Sequence, residues 1–157
     1  MPDQPRTIEP IRKSVIVPAS AERAFELFTA GLGEWWPLAT HSVGQDQATG
    51  VVFGEGVGGN IVESLADGST AVWGTVTRWE PPRLLACTWH AGTPVAEATS
   101  IEVTFTAGRP GETVVQLVHS GWNLRPDGEQ ARTGYETGWD PVIASYARQA
   151  ALSGLPG

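Results

Sequence analysis

GYETGWDPVIASYARQAAL, residues 134–152, carries its apolar and aromatic side chains at Tyr135, Trp139, Val142, Ile143, Tyr146, Ala147 and Ala150. Steps of three and four place these residues on one stripe of a helix. Three aromatics on the stripe exceed what an ordinary surface helix needs. The helix is therefore expected to lie across something large and concave, which in a chain this rich in strand-like runs means a curved sheet. Pro141 cannot donate to the carbonyl four residues back. The spacing predicts either a helix that begins near Gly138, with the proline in its first turn, or one kinked after a shorter piece from about Glu129. A core helix with no ligand role explains the stripe equally well.

Upstream, IRKSVIV at 11–17 alternates and is rich in β-branched residues, so it reads as a first strand ended by Pro18. Ser20 suits the N-cap of a short helix over 21–30, with Ala24, Phe25, Leu27 and Phe28 on its dry face. GLGEWWPLATHSVG follows as a cap or lid. Adjacent residues do not share a helix face, so one of Trp35 and Trp36 is expected to pack inward while the other guards an edge or opening. From Val51 the period is two, with strands expected at about 51–55, 58–65, 70–80, 83–90, 98–107 and 112–120, separated by short turns that imply antiparallel neighbours. Residues 120–134 form the longest irregular stretch, with helix an option at its end. The class is α+β: a strand, two short helices, a meander of about six strands and a long final helix.

The 157 residues make one expected domain, with residues 1–9 expected to be flexible. The formal net charge of −7 and only 10 Lys plus Arg argue against nucleic acid as a partner. No apolar run is long enough to span a bilayer, and the N-terminus lacks the pattern of a secretory signal, so a cytoplasmic protein without a membrane partner is expected. Cys87 is the single cysteine, which excludes an internal disulfide and a thiolate metal cluster. Seven tryptophans mean either a core built from indoles or a cavity lined by them.

Several segments carry a family resemblance: SVIVPASAERAFELFT, WWPLATHSVG, GVGGNIVESLADGSTAVWGTVTRWEPPRLLACTWH, SIEVTFTAGRPGETVVQLVHSGW and GYETGWDPVIASY. Together they cover nearly the whole chain in order. The sequence resembles the helix-grip superfamily of START-related and birch-pollen-allergen-like (SRPBCC) domains, within it the branch homologous to the activator of the heat-shock chaperone ATPase. The resemblance to the eukaryotic activator is confined to that protein's C-terminal domain. It implies a curved antiparallel sheet of about seven strands wrapped around the long C-terminal helix. The superfamily spans lipid carriers, hormone receptors, polyketide aromatase/cyclases and co-chaperones, so the fold does not choose a function by itself.

Strand parity sorts the candidate site residues. Thr113, Val115, Leu117 and His119 share one face of the last strand and are expected to point inward, because Gln116 and Ser120 opposite suit solvent. His119 would then lie beneath the long helix beside Trp122 and Trp139, either satisfied by the backbone or orienting a ligand. Glu63 shares an apolar face with Ile61 and Leu65 and needs a partner or an opening, so it is either a cavity residue or, if the edge strand is phased the other way, an outward one; facing His119 across a cavity it would form an acid/base pair. Cys87, in LLACTW, reads as a buried strand thiol. No nucleophile elbow, phosphate loop or His-Glu-x-x-His is present, and the histidines at 41, 90 and 119 are dispersed, so no catalytic residue, metal or cofactor is assigned. The expected function is non-catalytic binding of a small hydrophobic or aromatic molecule between sheet and helix, with Trp35, Trp36, His41, Glu63, Trp73, His119, Trp122, Tyr135 and Trp139 around it. The alternatives are a co-chaperone-like module with a chaperone or other protein as partner, and third a cyclase-like enzyme. Monomer and homodimer stay equally open.

Overall fold

The computed structural model describes residues 8–153. Strand β1 (Ile11–Val17) leads into α1 (Ala21–Phe28) and α2 (Leu32–Trp35). The meander follows: β2 (Ala48–Phe53), β3 (Asn60–Leu65), β4 (Thr70–Glu80), β5 (Leu84–Trp89), β6 (Thr99–Ala107) and β7 (Thr113–Ser120). The chain ends on α3 (Gly128–Ser153). All seven strands form one antiparallel sheet in the order β1-β7-β6-β5-β4-β3-β2, curled around α3. The α+β helix-grip architecture read from the sequence is the one observed. No described helix is long and apolar enough to cross a membrane.

The local chemistry explains the elements. Ser20 caps α1 by accepting from the Arg23 amide at 3.1 Å, and Ala24, Phe25, Leu27 and Phe28 are its buried residues. In β7 the alternation buries Thr113, Val115, Leu117 and His119 while Gln116 stays exposed. Gly74 in β4 sits where a β-carbon would run into the Thr88 carbonyl of β5, so only glycine lets the two strands approach this closely. Gly121 leaves β7 with φ of 84°, a left-handed turn that glycine adopts without strain.

The long helix starts ten residues before Gly138 and runs through Pro141. The expected irregular stretch 120–134 is thus a short 3-10 turn at Trp122–Leu124 followed by the first turns of α3. Tertiary contacts outweigh the hydrogen bond that the proline removes, which would by itself cost about 3 kcal/mol. Arg132 donates to the carbonyls of Glu9 and Pro10, Lys13 pairs with Asp140 at 2.8 Å, and Tyr135 and Trp139 pack inward. The flexibility expected for residues 1–9 falls, for 1–7, outside the described residues; Ile8 packs against the core. In the C-terminal half of α3, Tyr146 is fully buried and its hydroxyl donates to the Ala24 carbonyl at 2.8 Å, tying the helix to α1.

Candidate functional site

The space between sheet and helix is mostly filled by rings. Among Leu85, Cys87, Ile101 and Trp139 a void of only about 20 Å³ remains, room for about one water. A much larger cavity, about 800 Å³, lies instead at one end of the grip. Its walls are the N-terminal half of α3, the segment 41–43, the β5–β6 connection at Ala91 and Gly92, and Arg125 with Asp127.

Trp36, Trp89, Tyr135 and Trp139 line this groove, and the three indole N–H groups are engaged within the protein. Trp36 donates its indole N–H to the His41 carbonyl at 2.7 Å, Trp139 to His119 Nδ1 at 3.0 Å, and Trp89 to the Tyr135 hydroxyl at 3.2 Å. The rings of Trp36, Trp89 and Trp139 contact one another with centroids 5.8–5.9 Å apart. Gly134 and Gly138, one helical turn apart, complete the α3 wall, and a β-carbon on either would meet no atom within 4 Å. Glycine inside a helix costs about 1 kcal/mol against alanine. Here it leaves the groove wide.

His119 is fully buried behind this wall. An indole can only donate, so Trp139 fixes Nδ1 as an acceptor and places the ring proton on Nε2. Nε2 donates to Thr99 Oγ1 at 2.7 Å, and Thr99 donates to the Trp89 carbonyl at 3.0 Å. Burial, reinforced by the charge of Arg125, pushes the pKa of His119 down to about 3, so the ring is neutral. Both nitrogens are occupied. The residue sets the position of Trp139 and does not itself reach the groove.

Glu63 is equally buried and equally engaged. Oε1 accepts from the Val43 amide at 2.8 Å and from Trp73 Nε1 at 2.9 Å, and Oε2 accepts from the Gly44 amide at 2.8 Å. The carboxylate thereby clamps the 41–44 segment, which supplies one wall of the groove, onto β3. Glu63 and His119 have separate partners and form no acid/base pair.

Of the nine expected ligand residues, the structure brings Trp36, His41, Tyr135 and Trp139 together at the groove. Trp35, Glu63, Trp73, His119 and Trp122 stand behind it. Trp35 donates to the Leu27 carbonyl at 2.9 Å and packs on Phe28 and Tyr146, while Trp122 donates to the His119 carbonyl at 3.0 Å. Sequence reasoning missed Trp89, Arg125, Asp127 and the two glycines. Trp89 shares strand parity with buried Cys87, a signal that was available; nothing in the sequence marked Arg125. His41 accepts or donates through Nδ1 to Thr40 Oγ1 at 2.7 Å, and its Nε2 has no partner among the described residues. No group of three His, Cys, Asp or Glu among the described residues is placed to hold a metal.

The family profile described as "Activator of Hsp90 ATPase homolog 1-like protein" matches residues 18–147. No curated protein sequence matches the chain. Among solved structures, an anthrahydroquino-gamma-pyrone synthase, Txn09, is 34% identical over 92% of this chain and 99% of its own, with a TM-score of 0.65. The self-sacrificing resistance protein CalC from Micromonospora echinospora is 21% identical, covering 95% of this chain and 98% of its own, with a TM-score of 0.67. The Aha1 dimer from Colwellia psychrerythraea is 21% identical over 89% of this chain and 94% of its own, with a TM-score of 0.63. The last two likenesses concern the fold alone.

Proposed function

The chain belongs to the family of activator of Hsp90 ATPase homolog 1-like proteins, and from that premise we propose that it binds a flat aromatic small molecule in the 800 Å³ groove. The observation that carries this reading is a wall of Trp36, Trp89, Trp139 and Tyr135 rings whose N–H groups are spent inside the protein. Such a wall offers apolar faces with little unpaired polarity, the surface on which a planar guest gains most by leaving water and stacking. The volume lies in the range of small-molecule sites. The anthrahydroquino-gamma-pyrone synthase, the relative at 34% identity, is named for a polycyclic aromatic product, which supports the same ligand class.

Titration with naphthalene-, anthracene- and xanthene-type compounds should quench tryptophan emission, and Gly138→Leu should abolish the response by filling the groove. The β-carbon of that leucine meets open space and the residue replaces a helix-weakening glycine, so α3 itself is not weakened by the change. An unresponsive wild type, or a Gly138→Leu variant that binds normally, would refute the proposal.

Turnover of the bound molecule is a second reading, favoured by the named activity of that relative and by His41 Nε2 standing free at the rim. Conversion of a bound aryl ketone, followed by mass spectrometry and lost in His41→Ala, would decide for it. A co-chaperone role is supported by the family description and by an outward valine row, Val52, Val62 and Val72, aligned across β2, β3 and β4. Stimulation of a purified Hsp90 ATPase by the wild type, lost in Val52→Lys, is the corresponding assay.

A further inference from the structure

Arg125 and Asp127 form the polar end of the groove, just before α3 begins. The Arg125 side chain is only 11% exposed. Two of its five N–H groups are spent on Asp127: Nε donates to Oδ1 at 2.8 Å and Nη2 to Oδ2 at 3.0 Å. Nη1 has no partner among the described residues and is not sealed from solvent. Tyr135 supplies a second donor beside it. Its oxygen accepts from Trp89, and its O–H hydrogen is unspent among the described residues.

The charges at this end decide what those donors suit. Asp127, Tyr135 and Glu97 all act to keep the guanidinium charged, with the Asp127 hydrogen bond the largest influence. At the groove the one cation is therefore already paired with a carboxylate, in a chain of net charge −7. An anionic guest would find the guanidinium engaged and Asp127 opposed to it. A pure hydrocarbon would leave Nη1 and the Tyr135 hydroxyl without acceptors once it displaced water from them, and a donor left unpaired weakens binding. A neutral carbonyl has two lone pairs for these donors and brings no charge.

Resting on the groove being a binding site, we propose that its ligands are neutral planar aromatic ketones, with the carbonyl oxygen received by Arg125 and Tyr135 and the rings laid along the α3 wall at Tyr135 and Gly138. Arg125 is then the residue that selects by chemistry, and Asp127 the one that rejects acids.

Xanthene, xanthone and xanthone-2-carboxylate test this, because they share three rings and differ by a carbonyl and then a charge. Binding is read by tryptophan quenching and by calorimetry at low salt. Xanthone should bind the wild type about tenfold more tightly than either of the others, about 1.4 kcal/mol. Arg125→Gln should erase the preference for xanthone over xanthene. Tyr135→Phe, which keeps the ring, should reduce the same preference, and guards against a misfolded Arg125 variant. Asp127→Asn should raise the affinity of the carboxylate about tenfold. The inference is overturned if the carboxylate binds the wild type most tightly, or if xanthone and xanthene bind alike. If none of the three binds, the groove reading falls and takes this inference with it.

Discussion

Replacing Glu63 by glutamine keeps the shape of the side chain and removes one acceptor from a buried site that has three donors. In the wild type, two N–H groups converge on Oε1 and one on Oε2 at 2.8–2.9 Å, with no water-exposed surface on the residue. The amide must present its nitrogen to one of these positions. Its better orientation keeps the Val43 and Trp73 bonds and sets N–H against the Gly44 N–H. A hydrogen bond to a charged group contributes about 1.5–3 kcal/mol, and the two that survive weaken when the charge goes. Relief from burying a carboxylate offsets part of this loss. The net expectation is a destabilisation of about 3 kcal/mol, a fall in Tm of about 6–12 °C for a chain of this length. Urea denaturation at neutral pH measures it, and amide hydrogen exchange at Val43 and Gly44 should quicken as the 41–44 segment comes loose. A loss below about 1 kcal/mol, with both amides still protected, would show that the clamp is not what holds this wall of the groove.

Trp139→Ala should cost about 3–5 kcal/mol in chemical denaturation, since it deletes a buried indole and orphans His119 Nδ1; a loss under about 1 kcal/mol would mean that the ring is not part of the core. His119 titrates near 6.5 when unfolded and near 3 when folded, so between those values the unfolded chain binds the extra proton. Stability should therefore fall with falling pH by about 1.4 kcal/mol per unit from this residue, an acid sensitivity that His119→Gln lacks; parallel pH profiles for the two proteins would contradict the neutral buried ring. Burial raises the Cys87 thiol to about 12, so iodoacetamide at pH 8 should leave the folded protein unlabelled and modify it completely in urea, as mass spectrometry will show.

The apolar stripe from Tyr135 to Ala150, the Ser20 cap and the inward parity of β7 were all legible, because each is a local rule of spacing or capping. The start of α3 was legible only as one of two alternatives, of which the piece from about Glu129 lies beside the observed Gly128. Two glycines and a proline weaken a helix there, and the contacts that overrule them, Arg132 with Glu9 and Pro10, join residues more than 120 positions apart. Trp35 and Trp36 illustrate a partial success. Extended backbone at Trp36 ends α2 and turns the second ring away from the first, so Trp35 enters the core while Trp36 walls the groove. The expected cavity residues erred in a physical way: strand parity says which side chains point inward, not how deep they sit. His119 and Glu63 point inward yet are covered by other rings and by the 41–44 segment. Arg125 and Asp127 meet the aromatic wall only once the chain has folded, and no periodicity records that meeting.

The indole contacts also make the interior a single optical object. Trp36, Trp73, Trp89 and Trp139 lie with neighbouring centroids 5.1–5.9 Å apart, and Trp35 joins them at 5.7 Å from Trp36. At such separations excitation passes between rings far faster than it is emitted, so absorbed light is shared before any one ring fluoresces. A quencher seated against Trp139 alone would darken the rings behind it as well. The same proximity splits their transitions into coupled pairs and should give the folded protein an intense near-ultraviolet circular dichroism, which vanishes when the rings part.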